Sequence, residues 1–250
     1  MSGHDERMFD HVTIRVADMA ASRRFYDTVF APLGIRPGHE ADDLVEWDDF
    51  SLVLVEEGGL VTTGLHAGFV AGSTAVADAF WRAGVDAGFA SDGEPGPRRK
   101  YGDDYYGAFL LDPDGNSIEA VHHGTLRRGG NVDHLWIRVA DVEASADFYE
   151  LIGPFAGFTR RPATDGLVHI KGDSGAFSVL RDDRPAARNV HLAFPAPYTG
   201  AVAEFHAAAV GAGYRDNGAP GERPEYHSGY EGAFVLDPDA NNVEVVDHHR

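Results

Sequence analysis

The chain has 250 residues, 43% of them hydrophobic and 11% aromatic, enough for one large or two ordinary domains with a proper core, which excludes a disordered chain. Its 21 Lys and Arg against 40 Asp and Glu leave a formal charge of −19, which argues against nucleic acid or an anionic membrane as the main partner, since both need basic patches. The absence of cysteine excludes disulfides, thiolate catalysis and Cys-ligated zinc or iron–sulfur centres; no apolar run has membrane-span length and Met1–Arg7 lacks a signal-peptide core, so the cytoplasm is the expected location.

The segment from Phe9 to Val16 alternates as a strand. A helix follows, with Met19, Ser22, Phe25, Tyr26, Val29, Phe30 and Leu33 on one face, Asp18 as N-cap and Gly34 as stop. Two short strands, Leu44 to Trp47 and Ser51 to Val55, flank an Asp48-Asp49 turn. Gly64 to Val70 is a further strand. A second helix runs from Ser73 to about Ala83 with Val76, Phe80 and Trp81 as its buried face. Asp92 to Arg99, rich in Gly, Pro and Arg, reads as an irregular rim loop. The Tyr-rich segment 101–106 then feeds a hairpin whose turn is Asp112-Pro-Asp-Gly115, with residue types that suit a type I turn.

From Val132 the pattern restarts. Val132 to Asp141 repeats Phe9 to Asp18, Val190-His-Leu-Ala-Phe194 repeats Leu65-His-Ala-Gly-Phe69, and Gly232 to Val246 repeats Gly107 to Val121. Two similar domains are therefore expected, residues 1–125 and 132–250, joined by a linker at 126–131.

Both halves keep three polar residues inside predicted strands: His11, His66 and Glu119 in the first, His134, His191 and Glu244 in the second. A single carboxylate in a strand can lie on a solvated face, and a single His can be a satisfied core residue. Two imidazoles and a carboxylate recurring together at nearly equal spacing point to a shared partner, because buried His and Glu need one. Such a trio can hold a borderline divalent ion and leave coordination positions open, whereas a structural zinc site closes with four ligands.

These motifs, Asp-His-Val/Leu with Ile-Arg-Val-Ala-Asp and Phe-Tyr, then His-x-x-Phe, then Phe-x-Leu-Asp-Pro-Asp-x-Asn-x-x-Glu, resemble the vicinal oxygen chelate superfamily of glyoxalases, bleomycin-resistance proteins and extradiol dioxygenases across nearly the whole chain. The resemblance implies an α+β fold of tandem glyoxalase-like domains, each of two paired βαβββ modules forming an open, cup-shaped mixed sheet. It also implies one metal per half, held by His11, His66 and Glu119, and by His134, His191 and Glu244. The ion would be Fe2+, Mn2+, Zn2+, Ni2+ or Co2+.

The resemblance further implies a metal-dependent enzyme that chelates a small oxygen-rich substrate, with glyoxalase-like (lyase or isomerase) or dioxygenase-type chemistry; the alternative is a protein that sequesters a metabolite or drug. The sequence departs from the ring-cleaving branch, which carries Tyr where this chain has Phe109 and Phe234. It departs from glyoxalase I in offering no second carboxylate at 52–54 or 178–180. His227, Tyr230 and Tyr105 are the candidate acid–base groups, with Tyr101, Tyr106 and Tyr226 beside them. His122, His123, His248 and His249 are candidates to support the ligands, and His169 is a weaker pocket candidate. A monomer or loose homodimer is expected, with a small molecule as partner.

Overall fold

The computed structural model describes residues 7–127, 129–164, 166–173 and 175–249. One βαβββ pattern occurs four times. The first module is β1 (His11–Val16), α1 (Met19–Phe30), β2 (His39–Glu40), β3 (Leu44–Trp47) and β4 (Phe50–Leu54), and the second is β5 (Leu65–Val70), α2 (Thr74–Asp86), β6 (Ser91–Pro97), β7 (Tyr106–Leu111) and β8 (Ser117–His122). The third is β9 (Val132–Arg138), α3 (Val142–Ala156), β10 (Phe158–Arg160), β11 (Leu167–Gly172) and β12 (Ala176–Leu180), and the fourth is β13 (Val190–Pro195), α4 (Ala201–Gly211), β14 (Arg215–Glu222), β15 (Glu231–Leu236) and β16 (Asn242–Asp247).

The chain forms two compact units, and they are not the two sequence halves. One is Thr13–Trp136; the other joins Met1–Val12 to Ile137–Arg250. Both boundaries fall inside strands, β1 and β9, rather than at residues 126–131. In the unit Thr13–Trp136 the strand orders are β1-β4-β3-β2 and β9-β5-β8-β7-β6; in the other they are β14-β15-β16-β13-β1 and β10-β11-β12-β9. The sheets are mixed: β5 runs parallel to β8, which pairs antiparallel with β7, and β13, β16 and β15 repeat that arrangement.

The first three helices begin at the polar residues that precede them in the sequence. Asp18 accepts from the Ala21 N–H at 3.0 Å, Ser73 caps α2, and Asp141 caps α3, each satisfying donors that have no partner within the helix. Under α1 and α2 the rings of Phe25, Tyr26, Phe30, Trp47, Phe50, Phe69 and Phe80 are buried, with Phe30 and Phe69 centroids 4.7 Å apart. Phe148, Tyr149, Phe158, Phe177 and Phe194 do the same in the other unit. Each ring so buried contributes roughly 1.5–3 kcal/mol.

Three expectations change. The buried face of α2 is Ala77, Phe80 and Gly84, while Val76 and Trp81 are half-buried. A Cβ at Gly84 would collide with Leu110 on β7, so the helix packs closest where its residues are smallest. Most of the supposed rim loop is strand β6, an edge strand with register shifts between Ser91 and Gly93 and between Gly93 and Gly96. Pro95 and Pro97 are tolerated there because an edge strand need not donate every N–H. The supposed linker is anchored. Arg127 is buried and ion-paired with buried Asp49 at 3.4 Å, and Asn131 donates its N–H to Asp49 and its amide to the Trp47 carbonyl.

Candidate metal centre

In the unit Thr13–Trp136, β5, β8 and β9 each carry one member of a trio. The parallel register sets Ser117 opposite His66 and Glu119 opposite Gly68, so His66 and Glu119 project from one face of adjacent strands. Glycines clear the space between them. A Cβ at Gly68 would strike the His134 ring, and one at Gly107 would strike Glu119 Oε1. His66 Nε2 lies 3.0 Å and His134 Nε2 3.3 Å from Glu119 Oε2. The other unit builds the same trio from β1, β13 and β16: His11 Nε2 is 3.0 Å from His191 Nε2, and Glu244 Oε2 is 3.1 Å from His191 and 3.7 Å from His11.

This corrects the grouping expected from the halves. All six residues come together, as His66, Glu119 and His134 and as His11, His191 and Glu244, so each trio takes its first histidine from the other half of the sequence. In each trio one donor atom per residue lies within 4.8 Å of the others.

The donor set fits a cation. His134 Nδ1 is 2.9 Å from Asp133 Oδ2, so that nitrogen carries a hydrogen and Nε2 is the atom turned toward Glu119, able to hold either a proton or a cation there. Both glutamates are 1% exposed. Burial alone would raise the Glu119 carboxyl and lower His134. The neighbouring charges overcome it, with the two imidazoles holding Glu119 down to about 2, and Asp133 and Glu119 holding His134 up to about 10. The site's field therefore calls for positive charge between these atoms.

The family model for the Glyoxalase/Bleomycin resistance protein/Dioxygenase superfamily matches residues 8–120. Those residues belong to that superfamily. Glyoxalase I from Zea mays is 18% identical, over 96% of this chain and 92% of its own, with a TM-score of 0.66. A glyoxalase/bleomycin resistance protein from Albidiferax ferrireducens is 36% identical, over 47% of this chain and 99% of its own, with a TM-score of 0.42. No curated protein matches the chain.

The atoms of each trio are held from behind. Tyr105 donates to Glu119 Oε1 at 2.9 Å and Tyr230 to Glu244 Oε1 at 2.7 Å. Burial, then the adjacent glutamate, pushes both phenols well above their ordinary range, so they remain donors and are poor general bases. Asp133 accepts from His134 and lies 3.2 Å from His123 Nε2, whose Nδ1 reaches Thr125. Asp10 repeats this between His11 and His248, at 2.8 and 2.6 Å. His248 continues to His227 at 2.8 Å. By hydrogen bonds His227 joins its trio through His248, Asp10 and His11, its ring also lies edge-on to that of Tyr230 at 5.4 Å, and the first half has Gly102 in its place.

Other candidates stand apart. His122 bonds the Ala71 carbonyl, His169 pairs with Ser178, His249 with Glu231, and Tyr106 with Asp78. Tyr101 and Tyr226 lie tilted against Tyr105 and Tyr230 as outer rings. The sequence pattern does not single out Asp10 and Asp133, although each directly precedes the first histidine of its half, because neighbours on a strand point to opposite faces. It also passed over Trp136, half-buried with its ring 5.7 Å from that of His66 and edge-on to Tyr101.

Proposed function

We propose that both trios are divalent-metal centres and that the chain is a metal-dependent enzyme acting on a small oxygen-rich substrate, with glyoxalase-like (lyase or isomerase) or dioxygenase-type chemistry. The observation that carries this reading is the convergence of His66 Nε2, His134 Nε2 and Glu119 Oε2, aimed at one another with His66 and Glu119 buried and His134 half-buried, with a second copy at His11, His191 and Glu244. A bound divalent cation would supply Lewis acidity to two adjacent substrate oxygens. The chain's own residues set the stage for it. Asp133 and Asp10 fix the tautomers of His134 and His11, and Tyr105 and Tyr230 each occupy one carboxylate oxygen so that the other faces the histidines. Two His and one carboxylate leave open positions, which catalysis requires and a closed structural site lacks.

The test is metal content per chain by elemental analysis, on protein purified without a metal-affinity tag, together with turnover of candidate substrates before and after chelation. Two metals per chain and turnover lost on chelation are expected. Ligand binding unchanged by chelation, with no turnover, would favour a sequestering protein instead.

A further inference from the structure

Behind the central histidines the two units have the same geometry and different charge. On β6 the register shift between Ser91 and Gly93 falls at Asp92, and on β14 the shift between Asp216 and Gly218 falls at Asn217. A bulge of this kind re-aims a side chain. Asp92 receives the Ser117 hydroxyl hydrogen on Oδ2 at 2.7 Å, and Ser117 Oγ stands 3.0 Å from His66 Nδ1. Asn217 donates to Asn242 Oδ1 at 2.9 Å, and Asn242 Nδ2 faces His191 Nδ1.

The hydrogen-bond inventory decides the consequence. A serine hydroxyl has one hydrogen. Ser117 gives its hydrogen to Asp92, so it accepts from His66 Nδ1–H, and His66 Nε2 is left with its lone pair toward Glu119 and His134. At His191 the partner atom is an amide nitrogen, a donor, so His191 Nδ1 accepts and its hydrogen sits on Nε2, the atom that must ligate. Freeing that atom requires Asn242 to turn its amide end for end, and Asn217 to turn with it. Even then the chain behind His191 ends on a neutral amide, whereas the chain behind His66 ends on a carboxylate. Anionic partners of this kind orient a ligating imidazole and raise its basicity.

We infer that the Asp92–Ser117 pair makes the His66–Glu119–His134 trio the tighter of two unequal metal centres. Asp92 and Ser117 are positioning residues that act through His66. The inference rests on reading both trios as metal centres.

The test uses the full-length protein, stripped with a chelator and titrated with Co2+ by calorimetry. Trp136 fluorescence serves as a local reporter, because that ring packs on His66 and His134, and Trp136→Phe supplies its blank. Two binding classes separated by about 10- to 100-fold are expected. The tight class should quench Trp136, vanish in His66→Ala and survive in His191→Ala. Asp92→Asn, close to isosteric and on an edge strand, should weaken only the tight class and close most of the gap. The reciprocal Asn217→Asp/Asn242→Ser variant should tighten the weak class. Two equal classes, a tight class that survives His66→Ala, or no effect of Asp92→Asn would overturn the inference and leave the metal reading standing. Folded protein that binds no Co2+ would overturn both.

Discussion

Tyr105 donates its hydroxyl hydrogen to Glu119 Oε1 over 2.9 Å, and this bond decides which carboxylate oxygen meets His66 and His134. With Oε1 occupied, Glu119 offers Oε2 alone. Removing the hydroxyl in Tyr105→Phe leaves a buried carboxylate oxygen without its donor, a loss of roughly 1.5–3 kcal/mol for a bond to a charged group. In metal-free protein that loss should appear as a lower unfolding midpoint, and in the metal titration as weaker binding at one site of two. An unchanged midpoint and unchanged affinity would mean that Glu119 is held by the histidines alone. Tyr230→Phe should have the matching effect at Glu244, where the bond is 2.7 Å.

Glycine is required at Gly107 and Gly232 by space and not by backbone angle. A Cβ at either position would meet the neighbouring glutamate Oε1, an atom that already accepts a tyrosine hydrogen. Gly107→Ala should therefore displace Glu119 and remove one metal per chain, while Gly115→Ala, at a hairpin turn with nothing near its Cβ and φ of +84°, should cost some stability and no metal. Elemental analysis of the two variants separates the effects. Full metal content in Gly107→Ala would show that the carboxylate can move and still ligate.

Each trio crosses the sequence halves, and paired alanine variants make that crossing measurable. His11→Ala with His66→Ala removes one ligand from each trio and should leave no intact centre. His11→Ala with His191→Ala damages one trio twice and should leave one metal per chain. Trios confined to the halves would give the opposite pattern, with one metal retained in the first double variant and none in the second.

That crossing also marks how far the sequence could be read. Features fixed by neighbours along the chain were legible: the Asp18 cap, the start of the second helix at Ser73, the turn at Asp48-Asp49, and the six ligand candidates, because a buried His or Glu in an apolar strand demands a partner. The partnering of the trios was not legible. His11 and His134 sit in near-identical strands, so either could complete a site with His66 and Glu119 as far as spacing and pattern can tell. Strand β6 was hidden for another reason: its glycines and prolines suit an edge strand with two register shifts and carry no alternating pattern. Arg127 was read as linker because nothing local announces that its guanidinium meets Asp49.

The Asp49–Arg127 pair gives a prediction in pH. Burial raises the Asp49 carboxyl to about 6, even though Arg127 and the N–H groups of Asn131 and Val132 pull it down. A carboxyl whose folded value lies above its unfolded one binds its proton more tightly in the folded state. The stability linked to that proton is complete below about pH 4 and is lost as the pH rises through about 6. Asp49→Asn cannot titrate. In urea unfolding of chelator-treated protein, wild-type stability should fall relative to the variant by roughly 1–3 kcal/mol across that window and then level off. The opposite trend, with wild type gaining on the variant as the pH rises, would show that attraction to Arg127 outweighs burial. The Asp49–Arg127 ion pair would then persist well below pH 6.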